Sequence, residues 1–164
     1  SNTASQISNH SVFTSLNAQI NAANIGYHTM TNYSNIDFAI INENELRHEL
    51  RDREKDIKLL MKKLADKLMA KNLVVTQGSS GAILFNTDSA QYHHCPAFAS
   101  NVLDKIGAGD AMLALLSCSL ISGFGPDLSL FLGSLAAAQS VETMGNSIPV
   151  NKVNLIKTFN HILK

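Results

Sequence analysis

The chain has only two cysteines and few charged residues, and each shortage excludes something. Cys95 and Cys118 share no metal-ligand spacing and form no disulfide framework, so neither a zinc module nor a stapled secreted fold is in reach. Free thiols suit a reducing compartment, and the expectation is a cytoplasmic protein. Charge is scarce as well: 16% of the residues are charged and the formal net charge is zero. There is no basic stripe to meet nucleic acid and no charge bias to meet an anionic membrane, so neither partner is expected. The apolar run from Ala111 to Phe124 is broken by serines and too short to span a bilayer. The first residues, Ser-Asn-Thr-Ala-Ser-Gln, lack the apolar core of a signal peptide. No repeat or low-complexity tract is visible. What remains is a fairly apolar chain of 164 residues, long enough for one domain with its own core.

The stretch that organises the chain is Asp104-Lys-Ile-Gly-Ala-Gly-Asp110, running straight into an apolar helical segment. Gly107 and Gly109 permit backbone conformations and close approaches that a β-carbon would block. The first amides of the following helix lack intrahelical partners, and the helix dipole is positive there. Together these make an anion site, and phosphate is the usual anion. An aspartate at that spot repels a phosphate unless it has work to do, such as taking a proton from a hydroxyl that attacks phosphorus. On the glycines and the acid alone, the plainer reading is a Gly-rich turn with Asp110 as a first-turn acid favouring the dipole.

Taken in order, Val12 to Leu16 is a short β-prone run. It leads into a loop with Asn17, Gln19 and Asn21, amides that suit either a polar ligand or their own Asx-turns. Asp37 to Ile41 reads as a buried strand. Leu46, Leu50, Ile57, Leu60, Met61, Leu64 and Leu68 recur near helical spacing and predict one amphipathic helix of several turns. Asn42 and Glu45 fit a capping box at its start. Leu73–Thr76 and Ala82–Phe85 are strands around a turn holding Gly78 and Gly81, as in a hairpin or a tight corner. Gln91 to Cys95 is a candidate return strand. His93, His94 and Cys95 have no further ligand at a usable spacing, and neighbours on a strand point to opposite faces, so they read as ordinary sheet residues. Gly109 to Ser122 is apolar on nearly all sides and is expected to be a buried helix. Gly123 to Pro126 stops it, and Asp127 is placed to cap a second buried helix from Leu128 to Thr143. Small residues from Ala136 to Ser140 permit close packing there. Gly145-Asn146 is a helix stop. Asn151 caps a last helix with Val153, Ile156, Phe159 and Leu163 on one face.

With its flanks included, Asp104-x-x-Gly-Ala-Gly-Asp110-Ala resembles the signature of the ribokinase-like (PfkB) carbohydrate kinases. Lys105 and Ile106 stand where that family usually has threonine. The resemblance implies that Gly107, Ala108 and Gly109 form the anion hole and that Asp110 is the catalytic base. Asn42-x-x-Glu45 resembles the family motif that helps to hold Mg²⁺, partly through water. Thr76-x-Gly78-x-x-Gly81 resembles a second motif, where backbone lies along ATP, and Asn146 falls at the edge of the adenine pocket. Asn17-x-Gln19-x-Asn21 looks like a stretch of the heptose-kinase-like branch often linked to a nucleotidyltransferase, as a substrate loop.

The implied fold is a Rossmann-like, layered α/β sheet with helices on both faces. The motifs sit early in the chain compared with the family, so residues 1–164 look like the C-terminal half of such a domain, without its lid. A surface left by the missing half would favour a homo-oligomer or other self-association. The implied function is ATP-dependent phosphorylation of a sugar or sugar-phosphate hydroxyl, with Mg²⁺ and, in some members, a monovalent cation near the Asp104 loop. A nucleoside or vitamin-alcohol kinase, a non-catalytic nucleotide-binding module and an unrelated Rossmann-type domain are the alternatives. The lack of an early strand–GxGxxG–helix unit speaks against the last.

Overall fold

The computed structural model describes residues 12–17, 29–99, 101–144 and 147–162. They form a five-stranded sheet, in the order β1 (Ser15–Asn17), β2 (Phe38–Asn42), β3 (Asn72–Thr76), β4 (Ala82–Asn86) and β5 (Gln91–Cys95). β1, β2 and β3 run parallel. The connections from β3 to β4 and from β4 to β5 are far too short for a crossover, so those strands return antiparallel and the sheet is mixed. The helices among the described residues are α1 (Glu43–Leu50), α2 (Ile57–Leu68), α3 (Ala108–Ile121), α4 (Pro126–Val141) and α5 (Lys152–Ile162).

The described residues pack as two compact units, one drawn from residues 12–77 and 83–93, the other from 78–82 and 94–162. In the first unit, Ala39, Ile41, Leu73, Val75, Ile83 and Phe85 alternate along three strands onto one sheet face. Leu46 and Leu50 of α1 and Leu60, Met61, Leu64 and Leu68 of α2 close over them. Phe38, Ile40, Val74 and Leu84, pointing the other way, are buried too. Strands apolar on both faces are what the sequence of β2 and β3 calls for in a parallel arrangement.

The single helix expected from Leu46 to Leu68 is two. α1 ends at Arg51 in the left-handed conformation (φ 51°), and α2 restarts after Asp56, whose carboxylate accepts from the Lys58 amide at 2.8 Å. The run from Arg51 to Asp56 has no apolar residue to bury. Asp52 and Asp56 turn their side chains onto nearby amides instead, which competes with helix. Arg47 then collects the carbonyls of Arg53 and Lys55 at 3.2 and 3.0 Å and fixes the break.

In the second unit, α3 and α4 lie side by side. Gly133 of α4 makes room: a Cβ there would meet Cβ of Leu116 at 3.1 Å and Cγ of Met112 at 3.2 Å. Gly133 adds to the small residues expected from Ala136 to Ser140, of which Ala136 and Ser140 are buried. α4 begins at Pro126 after Gly125, and Asp127 lies in its first turn rather than at the cap. A proline at the first helical position suits its missing N–H and fixed φ. Asn151 does cap α5, accepting from the amides of Val153 and Asn154.

The expectation that α3 is buried all round fails. Met112, Leu116 and Ser119 are buried, while Ile121 is exposed. α5 has no buried residue: Phe159 packs on Phe131, but Val153 and Ile156 are exposed. Among the described residues, no helix is long and apolar enough to cross a membrane.

Candidate active site

The parallel part of the sheet brings one set of predicted residues to one edge. Asn42 and Thr76, the last residues of β2 and β3, are register partners. Asn17 ends β1 beside Ile40, at the same end of the sheet. In open α/β sheets, ligands bind outside the carboxyl ends of the strands. Gln19, Asn21 and Asn146 lie outside the described residues.

Asn42 also starts α1. Its side chain accepts from the Glu45 amide at 2.9 Å, and Glu45 Oε2 accepts from the Asn42 amide at 3.1 Å. The capping box is complete, so one Glu45 oxygen holds the helix start. Asn42 itself is exposed, at the end of an otherwise buried strand. Among the described residues, no three His, Cys, Asp or Glu side chains cluster to hold a metal. A magnesium site here would therefore draw most of its ligands from phosphate and water, as Mg²⁺ sites in phosphoryl-transfer enzymes do.

Two further residues at this edge escape sequence reasoning. Glu43 accepts from Gln77 Nε2 at 2.8 Å and from Arg47 Nε and Nη2 at 3.1 and 2.8 Å. The Gln77 hydrogen bond, followed by those from Arg47, holds its carboxyl below the usual carboxylate range. Nothing local in the sequence pairs residues this far apart; only the strand register could have suggested it.

Past β3 the chain makes a tight turn over Gly78–Ser80, and the Gly81 amide donates to the Gly78 carbonyl at 3.1 Å. Gly78 (φ 59°) and Gly81 (φ 92°) are both left-handed. Their surroundings differ. A Cβ on Gly78 would meet nothing within 4 Å, which leaves its face open to a ligand. A Cβ on Gly81 would sit 2.1 Å from the Cys95 carbonyl oxygen, so packing alone requires glycine there.

The motif that organises the sequence opens α3. Gly107 is the N-cap in the left-handed conformation (φ 83°, ψ −7°), with its carbonyl accepting from Ala111 at 2.9 Å. A glycine cap puts no side chain over the first-turn amides of Ala108 and Gly109. A Cβ on Gly109 would meet nothing within 4 Å, so the space beside the first turn is open there. Asp110 lies in the first turn and is exposed. The loop before it is held by backbone: the amides of Leu103 and Asp104 donate to the Val141 carbonyl at 2.8 and 3.2 Å. Asp104 Oδ1 accepts from the Ile106 amide at 3.0 Å. The Ile106 side chain is exposed, so this turn is built without the expected threonines.

The remaining chemistry-bearing residues fall elsewhere. Cys95 is buried, which pushes its thiol up, and Cys118 is exposed. A cavity of about 520 Å³ lies by Arg47, His48 and Arg51 to Glu54, includes no motif residue, and is lined by both signs of charge.

A sheet with a parallel-stranded edge and helices packed on it defines an α/β protein. The family model described as pfkB family carbohydrate kinase matches residues 5–153, and the chain belongs to that family. It is similar to the Bifunctional protein HldE of Koribacter versatilis, with 39% identity over 84 residues, covering 51% of this chain and 17% of that protein. It also resembles an uncharacterized sugar kinase of Buchnera aphidicola, 28% identical over 95 residues that cover 57% of this chain and 30% of that one. Among solved structures, the ribokinase of Thermotoga maritima superposes with a TM-score of 0.76 at 20% identity, covering 95% of this chain and 52% of that one. Phosphofructokinase-2 of Escherichia coli, in complex with potassium, gives 0.69 at 16% identity, covering 80% of this chain and 42% of that one. The chain thus spans about half of the ribokinase and about a sixth of the HldE protein.

Proposed function

We propose that this chain supplies the phosphate cradle and the general base of an ATP-dependent kinase acting on a hydroxyl of a sugar or sugar phosphate. The observation that carries this reading is the start of α3. Left-handed Gly107 opens the helix without a side-chain cap, Gly109 faces open space, and Asp110 follows in the first turn. Asp110 takes the proton of the acceptor hydroxyl, and the amides of Gly107, Ala108 and Gly109 stabilise charge on the phosphoryl group in flight. Thr76, Gly78, Gly81 and Asn146 serve the nucleotide, and Asn17, Gln19 and Asn21 serve the acceptor. Bound Mg²⁺ supplies charge neutralisation between the phosphates; Asn42 and Glu45 are this chain's contribution to holding it. As in some members of the family, a monovalent cation would be taken up near the Asp104 loop. Exposed Ile121, Val153 and Ile156 support self-association, which sedimentation over a concentration series tests. A cytoplasmic setting suits the free thiols.

The test is Asp110→Asn in the whole protein, with Mg²⁺–ATP and a panel of sugars and sugar phosphates. Transfer should be abolished while ATP binding stays within about twofold, since the base acts only in the chemical step. Loss of ATP binding with unchanged turnover per bound ATP would assign Asp110 to binding. ATP binding by the wild type with no acceptor phosphorylated would make it a nucleotide-binding module.

A further inference from the structure

We propose that Glu43 is a positioning residue for the nucleotide-binding edge and that it acts through Gln77. The inference rests on the kinase reading above and adds a residue that none of its motifs contains. Glu43 lies between the two members of the capping box but takes no part in it. An acid in a helix's first turn is commonplace, because it favours the dipole, and water can satisfy it there. This one is only 30% exposed, and both of its oxygens are committed to side chains.

The direction of those bonds gives the role. Gln77 follows Thr76, the register partner of Asn42, and precedes left-handed Gly78. The Glu43–Gln77 bond therefore joins the β2–α1 junction to the exit of β3, one step beyond the last ladder pair. On the other side, the Arg47 guanidinium clamps the Glu43 carboxylate at two points while its Nη1 is held by the carbonyls of Arg53 and Lys55. Glu43 is thus an anchored acceptor rather than a swinging one. Gly78 has no side chain to fix its peptide, and on its own side of the turn only the Gly81 amide, on its carbonyl, holds it. With Gln77 held, the backbone meant to lie along the phosphates is ordered before the nucleotide arrives, and less freedom is lost on binding. A hydrogen bond to a charged group is among the stronger local ties.

The experiment is a calorimetric titration of Mg²⁺–ATP into the protein, with a thermal melt of each variant. Gln77→Leu removes the donor without adding charge and leaves Glu43 on Arg47. It should weaken Mg²⁺–ATP binding about tenfold, equivalent to about 1.4 kcal/mol, far more than the modest lowering of the melt explains. Gln77→Glu should weaken it further, because two carboxylates then face each other. The exchanged pair Glu43→Gln with Gln77→Glu rebuilds an amide–carboxylate bond and should return affinity to within about threefold of wild type. A purely structural role would move the melt and leave the affinity of the folded protein for Mg²⁺–ATP unchanged. Gln77→Leu binding as tightly as wild type, or an exchanged pair as weak as Gln77→Glu, overturns the positioning role and leaves the kinase reading standing. A wild-type protein that melts cooperatively yet binds no Mg²⁺–ATP overturns both.

Discussion

Asn42 and Thr76 are the last register pair of two parallel strands, and each ends its strand at the edge where an α/β sheet meets its ligand. Asn42 also caps α1 together with Glu45. Structure and function can therefore be separated by substitution. Asn42→Ala removes the cap and should cost about 1 kcal/mol of stability. Glu45→Gln keeps an acceptor for the Asn42 amide, since glutamine serves a capping box, and should stay within about 0.5 kcal/mol of wild type. If Glu45 helps to hold Mg²⁺, the same variant should need more Mg²⁺ for half-maximal ATP binding. Urea melts and Mg²⁺ titrations of the two variants check this, and an unchanged Mg²⁺ requirement would confine Glu45 to the helix cap.

The two glycines of the turn after β3 should respond differently to alanine. Gly78→Ala meets no atom and should lose only the left-handed backbone preference, about 1 kcal/mol. Gly81→Ala adds a 2.1 Å clash with the Cys95 carbonyl, which is backbone and cannot swing away. Its loss should exceed about 3 kcal/mol, in the range of severe substitutions. Equal melting temperatures for the two would show that β5 does not approach Gly81 this closely.

Much of this was legible because local chemistry and global fold agree. β2 and β3 are short and apolar on both faces, the Asn42–Glu45 box announces a helix, and Asn151 announces another. The glycine-capped start of α3 could be read from Gly107, Ala108, Gly109 and Asp110 alone. What failed depended on partners the sequence does not list. The apolar spacing from Leu46 to Leu68 spans a break, because Arg51 to Asp56 holds nothing that needs burial. The all-round apolarity of α3 predicted burial, but only the side against α4 is covered among the described residues. The Glu43–Gln77 and Asp37–Lys71 bonds join residues 34 apart and need the strand register to be seen.

Acid should loosen the first unit through those two carboxylates. Partial burial would raise the Asp37 carboxyl, but the Lys71 ammonium at 2.7 Å and the Thr14 amide at 2.9 Å outweigh it and hold it below 3.8, its ordinary value. Glu43 is held below 4.5 by Gln77 and Arg47. A lowered native value means that the unfolded state binds more protons in this range. The stabilisation is complete above the ordinary values and drains as pH falls through the lower native ones. Stability should therefore be flat from neutrality to about pH 5 and fall below it. In Asp37→Asn the fall should be shallower, because one of the two groups no longer titrates. Urea midpoints from pH 3 to 7 test this, and parallel curves for the two proteins would remove Asp37 from the account.

Gly133 sets how closely α4 approaches the helix that carries Asp110. A Cβ there would stand 3.1–3.3 Å from atoms of Leu116 and Met112, tighter than comfortable contact, but against side chains that can yield. Two effects then oppose each other in Gly133→Ala. Alanine gains up to about 1 kcal/mol of helix propensity, and the displaced side chains give back a similar amount. The variant should melt within about 1 kcal/mol of wild type. Gly133→Leu has no such balance, because its extra volume meets buried Met112 and Leu116 with nowhere to go, and overpacking of this kind costs about 1–3 kcal/mol. It should also push α3 outward and carry Gly107 to Asp110 with it. In the whole protein, turnover should then fall by more than the loss of folded fraction explains. A Gly133→Leu protein as stable as wild type would show that α3 and α4 are not in the close contact that places the helix start.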